Sequence, residues 1–251
     1  MNRAFTEKDL MCRSFQIGKF DARKIVPAVS MKIDIDIDKM LKKREELNEN
    51  REVHITIYQY LLKLIADTLI DYPLLFSLFY KGKIISPENL IINVPVSVDN
   101  HVEYVVIRNP ETKSIEEIAV EMQNGIRDIK LGSNMLMQSL IDQHKMNKIQ
   151  RLLYKLKNYK NPVYFLGKYY GYFPVTNFGT FHVDNGTTVL SEPIVSALVI
   201  GKAKKELSFV NSSVHEVYRI SLTLSFDHRV MDGAYAGNFL SDLKQSIEHI
   251  R

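Results

Sequence analysis

The strongest constraint on the fold is the regular exchange of strand-like and helix-like segments along the 251-residue chain. Residues 29–38 alternate apolar and charged side chains, and this period of two predicts a half-buried strand. Residues 56–72 carry apolar side chains at helical spacing, and Ser114 with Glu117 three positions later predicts a capping box before another helix. Because strands and helices interleave, we expect an α/β or α+β protein with a large sheet covered by helices.

Composition excludes several classes of protein. Apolar residues are 45% and charged residues 25% of the chain, an ordinary globular mixture. The single cysteine, Cys12, excludes an intramolecular disulfide framework and fits a reducing compartment, so we expect a cytoplasmic protein. We find no apolar core of a signal peptide, no apolar run that approaches the ~20 residues of a membrane span, and no metal-ligating histidine motif. A net charge of +4 is too small to indicate a nucleic-acid partner.

The residues with the clearest chemical meaning follow an apolar strand predicted at 220–226 and precede the last helix, which is predicted to begin near Gly233. A histidine at a strand end, His228, is held by a rigid backbone and is suited to act as a general base near neutral pH. Asp232 stands four residues later and can order the turn around the imidazole, and Gly233 allows a tight entry into the helix. By itself, however, a histidine at a strand end is more often structural.

The sequence D-H-R-x-x-D-G before an amphipathic helix resembles the active-site signature of the dihydrolipoamide acyltransferase components of 2-oxoacid dehydrogenase complexes. It also resembles the H-x-x-x-D-G signature of chloramphenicol acetyltransferase, which shares that fold. The resemblance covers most of residues 26–250 and implies an α+β two-layer sandwich with a mixed sheet. Residues 1–251 would form one catalytic domain, with an N-terminal segment at 1–25 and a divergent basic helical insertion at 135–168 that resembles standalone members of the family.

The resemblance also implies the roles of individual residues. His228 would take a proton from the attacking acceptor, and Thr176 matches the family's serine, whose hydroxyl group stabilises the tetrahedral oxyanion. Asp232 matches a carboxylate that pairs with an arginine of the N-terminal segment. The candidates for that arginine are Arg13 and Arg23. The other residues expected to support the site are Asp227, Arg229, Gly233 and Asn177.

Three functions remain open at this level. The first is a standalone CoA-dependent acyltransferase that moves an acyl group to a thiol, hydroxyl or amine of a small molecule, and we expect the acyl group to be acetyl. The second is the catalytic core of a 2-oxoacid dehydrogenase complex, with a lipoyl acceptor, and the third is a non-catalytic trimeric scaffold. The resemblance implies acyl-CoA as substrate and a homotrimer with active sites between subunits. We expect no metal, no nucleic acid and no covalent lipoyl group on this chain, and we assign no CoA-binding residue.

One segment carries an unusual charge pattern. Residues 143–183 contain no Asp or Glu but seven basic side chains, and within them apolar residues recur at helical spacing: Ile149, Leu152, Leu153 and Leu156. This pattern predicts a basic amphipathic helix. We expect its apolar face to pack on the domain and its basic face to be solvated. The alternatives are a membrane-surface or partner contact through residues 145–160 and attraction for the phosphates of a nucleotide-like cofactor.

Overall fold

The computed structural model describes residues 11, 14, 26–49, 53–98, 101–159, 162–210 and 212–250. Its strands are β1 (Ala28–Asp36), β2 (Leu78–Tyr80), β3 (Lys83–Ile85), β4 (Ile91–Val98), β5 (His101–Arg108), β6 (Phe173–Asn177), β7 (Ser196–Ile200), β8 (Lys204–Val210) and β9 (Ser213–Asp227). Seven of these strands form one sheet in the order β1, β9, β7, β6, β4, β5, with β8 paired to β9, whereas β2 and β3 form a separate hairpin. The sheet is mixed, because β6 runs parallel to β4 and β7 while the other pairs are antiparallel.

The described ranges also contain seven α-helices. They are α1 (Asp38–Glu49), α2 (Ile57–Leu69), α3 (Ile115–Lys130), α4 (Met135–Lys145), α5 (Lys148–Tyr159), α6 (Pro162–Tyr169) and α7 (Gly233–Glu248). Helix α2 begins after Thr56 and α3 begins after Ser114, each with a reciprocal capping box. The capping box predicted from Ser114 and Glu117 is therefore confirmed.

The core lies between the sheet and the helices that cover it. Helix α7 packs against β1, β9 and α2, while α3 packs against β4 and β5. Phe226 of β9 and Phe239 of α7 are among the largest side chains that are completely buried. The predicted fold class, a mixed sheet covered by helices, is confirmed.

Two features of the fold differ from the sequence-based expectations. Strand β8 was not predicted, and its Leu207 and Phe209 side chains are exposed. In the described ranges the insertion at 135–168 forms three helices, and the predicted amphipathic helix is the second of them, α5. In α5 the side chains of Ile149, Leu152 and Leu153 are 72%, 59% and 60% exposed, so the expectation that they pack on the domain was wrong. We call these three residues the α5 apolar stripe.

The entry into β6 depends on a glycine that no other residue can replace without strain. Gly171 has φ +86°, and a Cβ atom there would lie 3.0 Å from the Ile91 carbonyl oxygen. Its amide donates a hydrogen bond to the Leu166 carbonyl of α6, and the next amide, that of Tyr172, donates to Ile91. The turn from α6 into β6 therefore needs both a positive φ and close approach to β4. Gly233, in contrast, has no positive φ, and its Cβ position is open, so the entry into α7 does not require a glycine there.

These two glycines give a matched pair of alanine substitutions. We expect Gly171→Ala to lower the free energy of unfolding by about 1–3 kcal/mol, because alanine is strained at positive φ and meets the β4 backbone. Gly233→Ala should leave it unchanged or raise it by less than about 1 kcal/mol, because alanine restricts the unfolded chain. Urea unfolding followed by circular dichroism measures both values. Equal losses for the two variants would contradict this account of the turn.

Candidate active site

His228 stands directly after the end of β9, a strand that is paired on both edges. Its β1 partner reaches Ala28 opposite Asp227, and its β7 partner reaches Ser196 opposite Phe226. The backbone amide of His228 donates to the Pro27 carbonyl at 3.2 Å, and the imidazole lies 5.9 Å from the Phe226 ring, measured between centroids. The side chain of His228 is exposed. The fold thus fixes the backbone of this residue and leaves its imidazole accessible to a substrate.

Asp227 and Arg229 brace the turn that carries this histidine. The Asp227 carboxylate is completely buried and accepts hydrogen bonds from the Arg229 backbone amide, Nε and Nη2. The Arg229 guanidinium also pairs with Glu192 at 3.0 Å and lies 4.3 Å above the centre of the Phe79 ring. The hydrogen bond to Asp227 raises the pKa of Arg229, which keeps the guanidinium charged. Both residues therefore stabilise the turn that carries His228, and Glu192 is a partner that the sequence analysis missed.

Asp232 is the last residue of the same turn and the N-cap residue of α7. Its Oδ1 accepts a hydrogen bond from the Tyr235 backbone amide at 2.9 Å, and its negative charge lies at the positive end of the helix. This contact fixes the end of the turn that begins at His228. The pairing of Asp232 with Arg13 or Arg23 stays a prediction, because both arginines lie outside the described residues, as does Cys12.

Thr176 lies on β6, between β4 and β7, and borders a cavity of about 190 Å³. Most of the residues lining this cavity are apolar, and its polar groups belong to Tyr104, Tyr170, Thr176, Thr188 and Ser191. The rings of Tyr104 and Tyr170 meet edge to face, 4.7 Å apart between centroids. Burial raises the pKa of Tyr170 well above its ordinary value, so this phenol stays neutral. Asn177 follows Thr176 as the last residue of β6.

A single chain does not bring His228 and Thr176 together. The strand register pairs Thr176 with Val199 and Val199 with Thr223, which is five residues before His228. At about 3.3 Å per residue along β9 and about 4.8 Å for each of two strand spacings, the two residues lie roughly 15–20 Å apart. His228 does not line the cavity that Thr176 borders. A site that uses both side chains therefore needs two copies of the chain.

The cavity contains residues that sequence reasoning did not assign. Tyr104, Thr188 and Ser191 come from different strands and loops, and no motif in the sequence singles them out. Tyr170 belongs to a run of aromatic residues at 164–173, and this run is the one signal in the sequence that points to the cavity. The described ranges hold no cluster of three or more His, Cys, Asp or Glu side chains that could bind a metal. No described helix is long and apolar enough to cross a membrane.

Residues 20–138 and 146–251 match the family model described as 2-oxoacid dehydrogenases acyltransferase (catalytic domain). One curated relative is the dihydrolipoyllysine-residue acetyltransferase component of the pyruvate dehydrogenase complex of Rickettsia typhi. It is 26% identical over 233 residues, which are 91% of this chain and 50% of that protein, so the chain spans about half the length of this relative.

Two solved structures show the same fold. A probable dihydrolipoamide acetyltransferase from Listeria monocytogenes superposes with a TM-score of 0.76 at 20% identity, covering 100% of this chain and 95% of that one. Chloramphenicol acetyltransferase superposes with a TM-score of 0.55 at 10% identity, covering 97% of this chain and 96% of that one.

The buried carboxylate beside His228 makes Arg229 important for stability. We expect Arg229→Ala to lower the free energy of unfolding by roughly 3 kcal/mol, because Asp227 is left charged and buried without its partner. Arg219→Ala is the control, because Arg219 lies on β9 and its partners Asp36 and Glu206 are partly exposed. It should lower the free energy of unfolding by less than about 1 kcal/mol. Urea unfolding compares the two variants. A loss for Arg229→Ala no greater than that for Arg219→Ala would show that Asp227 does not depend on this partner.

Proposed function

The chain belongs to the family of 2-oxoacid dehydrogenase acyltransferase catalytic domains, and from this premise we propose that it transfers an acyl group between CoA and a dihydrolipoyl thiol. The observation that carries the proposal is the D-H-R-x-x-D-G sequence at the end of β9, in a chain whose family match extends over both flanks of the divergent helices. The name of the Rickettsia typhi relative supports a lipoyl acceptor. This favours the dehydrogenase-core alternative over the broader first expectation of a thiol, hydroxyl or amine on an unassigned small molecule.

The proposed chemistry uses His228 as a general base. Its imidazole accepts the proton of the attacking thiol, and the sulfur forms a bond to the carbonyl carbon of the acyl thioester. The resulting tetrahedral intermediate carries its negative charge on the former carbonyl oxygen. When the intermediate collapses, the original carbon–sulfur bond breaks and the imidazolium returns its proton to the departing thiolate. The acyl group therefore moves from one sulfur to the other without a covalent link to the protein.

Thr176 is the proposed hydrogen-bond donor to the oxyanion. Its hydroxyl group borders the cavity next to β6, and a donor held in place before the reaction stabilises the charge that develops on the oxygen. Because Thr176 and His228 are far apart in one chain, the proposal requires that each site takes His228 from one subunit and Thr176 from its neighbour. A closed ring of three chains, the arrangement implied by the family resemblance, supplies three equivalent sites of this kind.

One observation favours a second candidate function. The family match is interrupted at residues 139–145, within the helices where the sequence departs from the family pattern. A chain with a changed surface beside the sheet could serve a small-molecule acceptor rather than a lipoyl group. The threonine at position 176 and the same helices also keep the non-catalytic scaffold as an alternative. Acceptor specificity separates these candidates.

We expect the wild-type protein to transfer acetyl groups from acetyl-CoA to dihydrolipoamide more efficiently than to a panel of alcohols and amines. His228→Ala should lower kcat about 10²–10⁴-fold, because the thiol loses its general base. Thr176→Ala should lower kcat about 10²–10³-fold and Thr176→Ser much less, because serine keeps the hydroxyl group. Release of CoA is measured against time, with circular dichroism as a check on folding. Equal turnover of His228→Ala and wild type would exclude the base, and no turnover with any acceptor together with no CoA binding would favour the scaffold.

The shared site predicts complementation between two inactive variants. When His228→Ala and Thr176→Ala chains are co-expressed in equal amounts, an intact site needs His228 from one kind of chain and Thr176 from the other. With random assembly into closed rings, about a quarter of the sites are intact, so about a quarter of wild-type activity should return. Mixtures of separately purified proteins that do not exchange subunits serve as the control. Activity no higher than that of either variant alone would place both residues outside a shared site.

A further inference from the structure

The α5 apolar stripe faces away from the other residues that the structure describes. At about 100° per residue, Ile149, Leu152 and Leu153 fall within a sector of about 100° of the helix, and Tyr154 lies about 140° from Ile149. The Tyr154 hydroxyl is 3.0 Å from the Ser139 hydroxyl of α4 and accepts a hydrogen bond from Gln143 at 3.3 Å. The helix therefore rests on α4 through its far side and presents the stripe outward.

Polar contacts fix the start of α5 in this orientation. Asn147 and Gln150 cap the helix reciprocally, with side-chain to backbone distances of 3.1 and 2.9 Å. The Arg151 guanidinium donates to the carbonyl groups of His144 and Met146 at 3.4 Å, which ties the helix to the end of α4. The exposure of the stripe thus does not follow from a loose helix. Side chains of this size that are 59–72% exposed and contiguous on a capped helix indicate a surface that contacts an apolar partner.

The charge around the stripe restricts what this partner can be. Lys145 and Lys148 are exposed at its N-terminal side, and no acidic residue occurs between positions 143 and 183. A second copy docked symmetrically through the same helix would bring these cations against their equivalents, with Asp142 as the nearest acidic residue in the sequence. A partner that offers apolar surface together with negative charge therefore fits this surface better than a second copy docked through the same helix.

The shape of α5 favours a lipid bilayer over a protein. Its 12 residues extend about 18 Å along a convex helix, and an apolar stripe bordered by basic side chains is the pattern of helices that lie in the interface of a membrane. We propose that the α5 apolar stripe docks this protein on the surface of an anionic lipid bilayer, with the helix parallel to the membrane plane. This contact concerns the location of the protein and does not depend on the proposed acyl transfer.

Tryptophan fluorescence tests the proposal directly, because the chain contains no tryptophan. In Leu153→Trp the single indole should shift its emission to the blue when vesicles of phosphatidylcholine and phosphatidylglycerol are added. The shift should weaken as salt is raised and with vesicles of phosphatidylcholine alone, because the basic side chains lose their attraction. Leu207→Trp is the matched control. Leu207 is 73% exposed on β8, which pairs with β9, whereas α4 packs against β5 at the opposite edge of the sheet, so its emission should not change.

A loss-of-binding variant completes the test. Ile149→Ser combined with Leu152→Ser should lower co-sedimentation with the anionic vesicles at least tenfold, while Leu207→Ser should bind like the wild type. Both changes are at exposed positions, so circular dichroism and the melting temperature should stay unchanged. No blue shift in Leu153→Trp, or equal sedimentation of the double serine variant, would overturn the proposal. So would an assembly seen by analytical ultracentrifugation that the double serine variant lacks while neither protein binds vesicles, because a second copy would then cover the stripe.

Discussion

The pairing of β9 along both edges is the constraint on which the site depends. One edge pairs with β1 from Arg219 to Asp227, and the other pairs with β7 from Leu222 to Phe226. A slip of one residue would break both ladders and would turn every side chain of this buried strand to the opposite face of the sheet. The strand end is thus held by many hydrogen bonds far from the histidine itself. His228 needs no substrate to bring its backbone into position.

The same sheet that fixes His228 also keeps it away from Thr176. Both residues stand on strands of one continuous sheet, and the register through Val199 sets their separation. A rigid sheet cannot bend far enough to join two positions roughly 15–20 Å apart without losing its hydrogen bonds. Under the proposed function, assembly of several chains is therefore part of catalysis and not an addition to it. Each subunit contributes a fixed half of the site.

Most charged side chains of the D-H-R-x-x-D-G sequence at the end of β9 make structural contacts. The Asp227 carboxylate compensates Arg229, whose guanidinium reaches Glu192 and Phe79, and Asp232 begins α7. The His228 side chain, in contrast, is exposed and makes no hydrogen bond or ion pair among the described contacts. The turn must nevertheless keep its buried charge neutralised, because an unpaired carboxylate in the core costs several kcal/mol. This explains why acidic and basic residues flank His228.

Features that depend on neighbouring residues could be predicted from the sequence. The alternation at 29–38 predicts β1 and the Ser114–Glu117 pair predicts the start of α3, because each of these signals acts within a few residues. The D-H-R-x-x-D-G sequence likewise singles out His228 as a candidate. The separation of His228 from Thr176 and the role of Glu192 could not be predicted, because they follow from pairings between distant segments. The orientation of α5 shows this limit most clearly. Its periodicity predicts an amphipathic helix in either orientation, and the contact between Tyr154 and Ser139 decides that the apolar stripe faces outward.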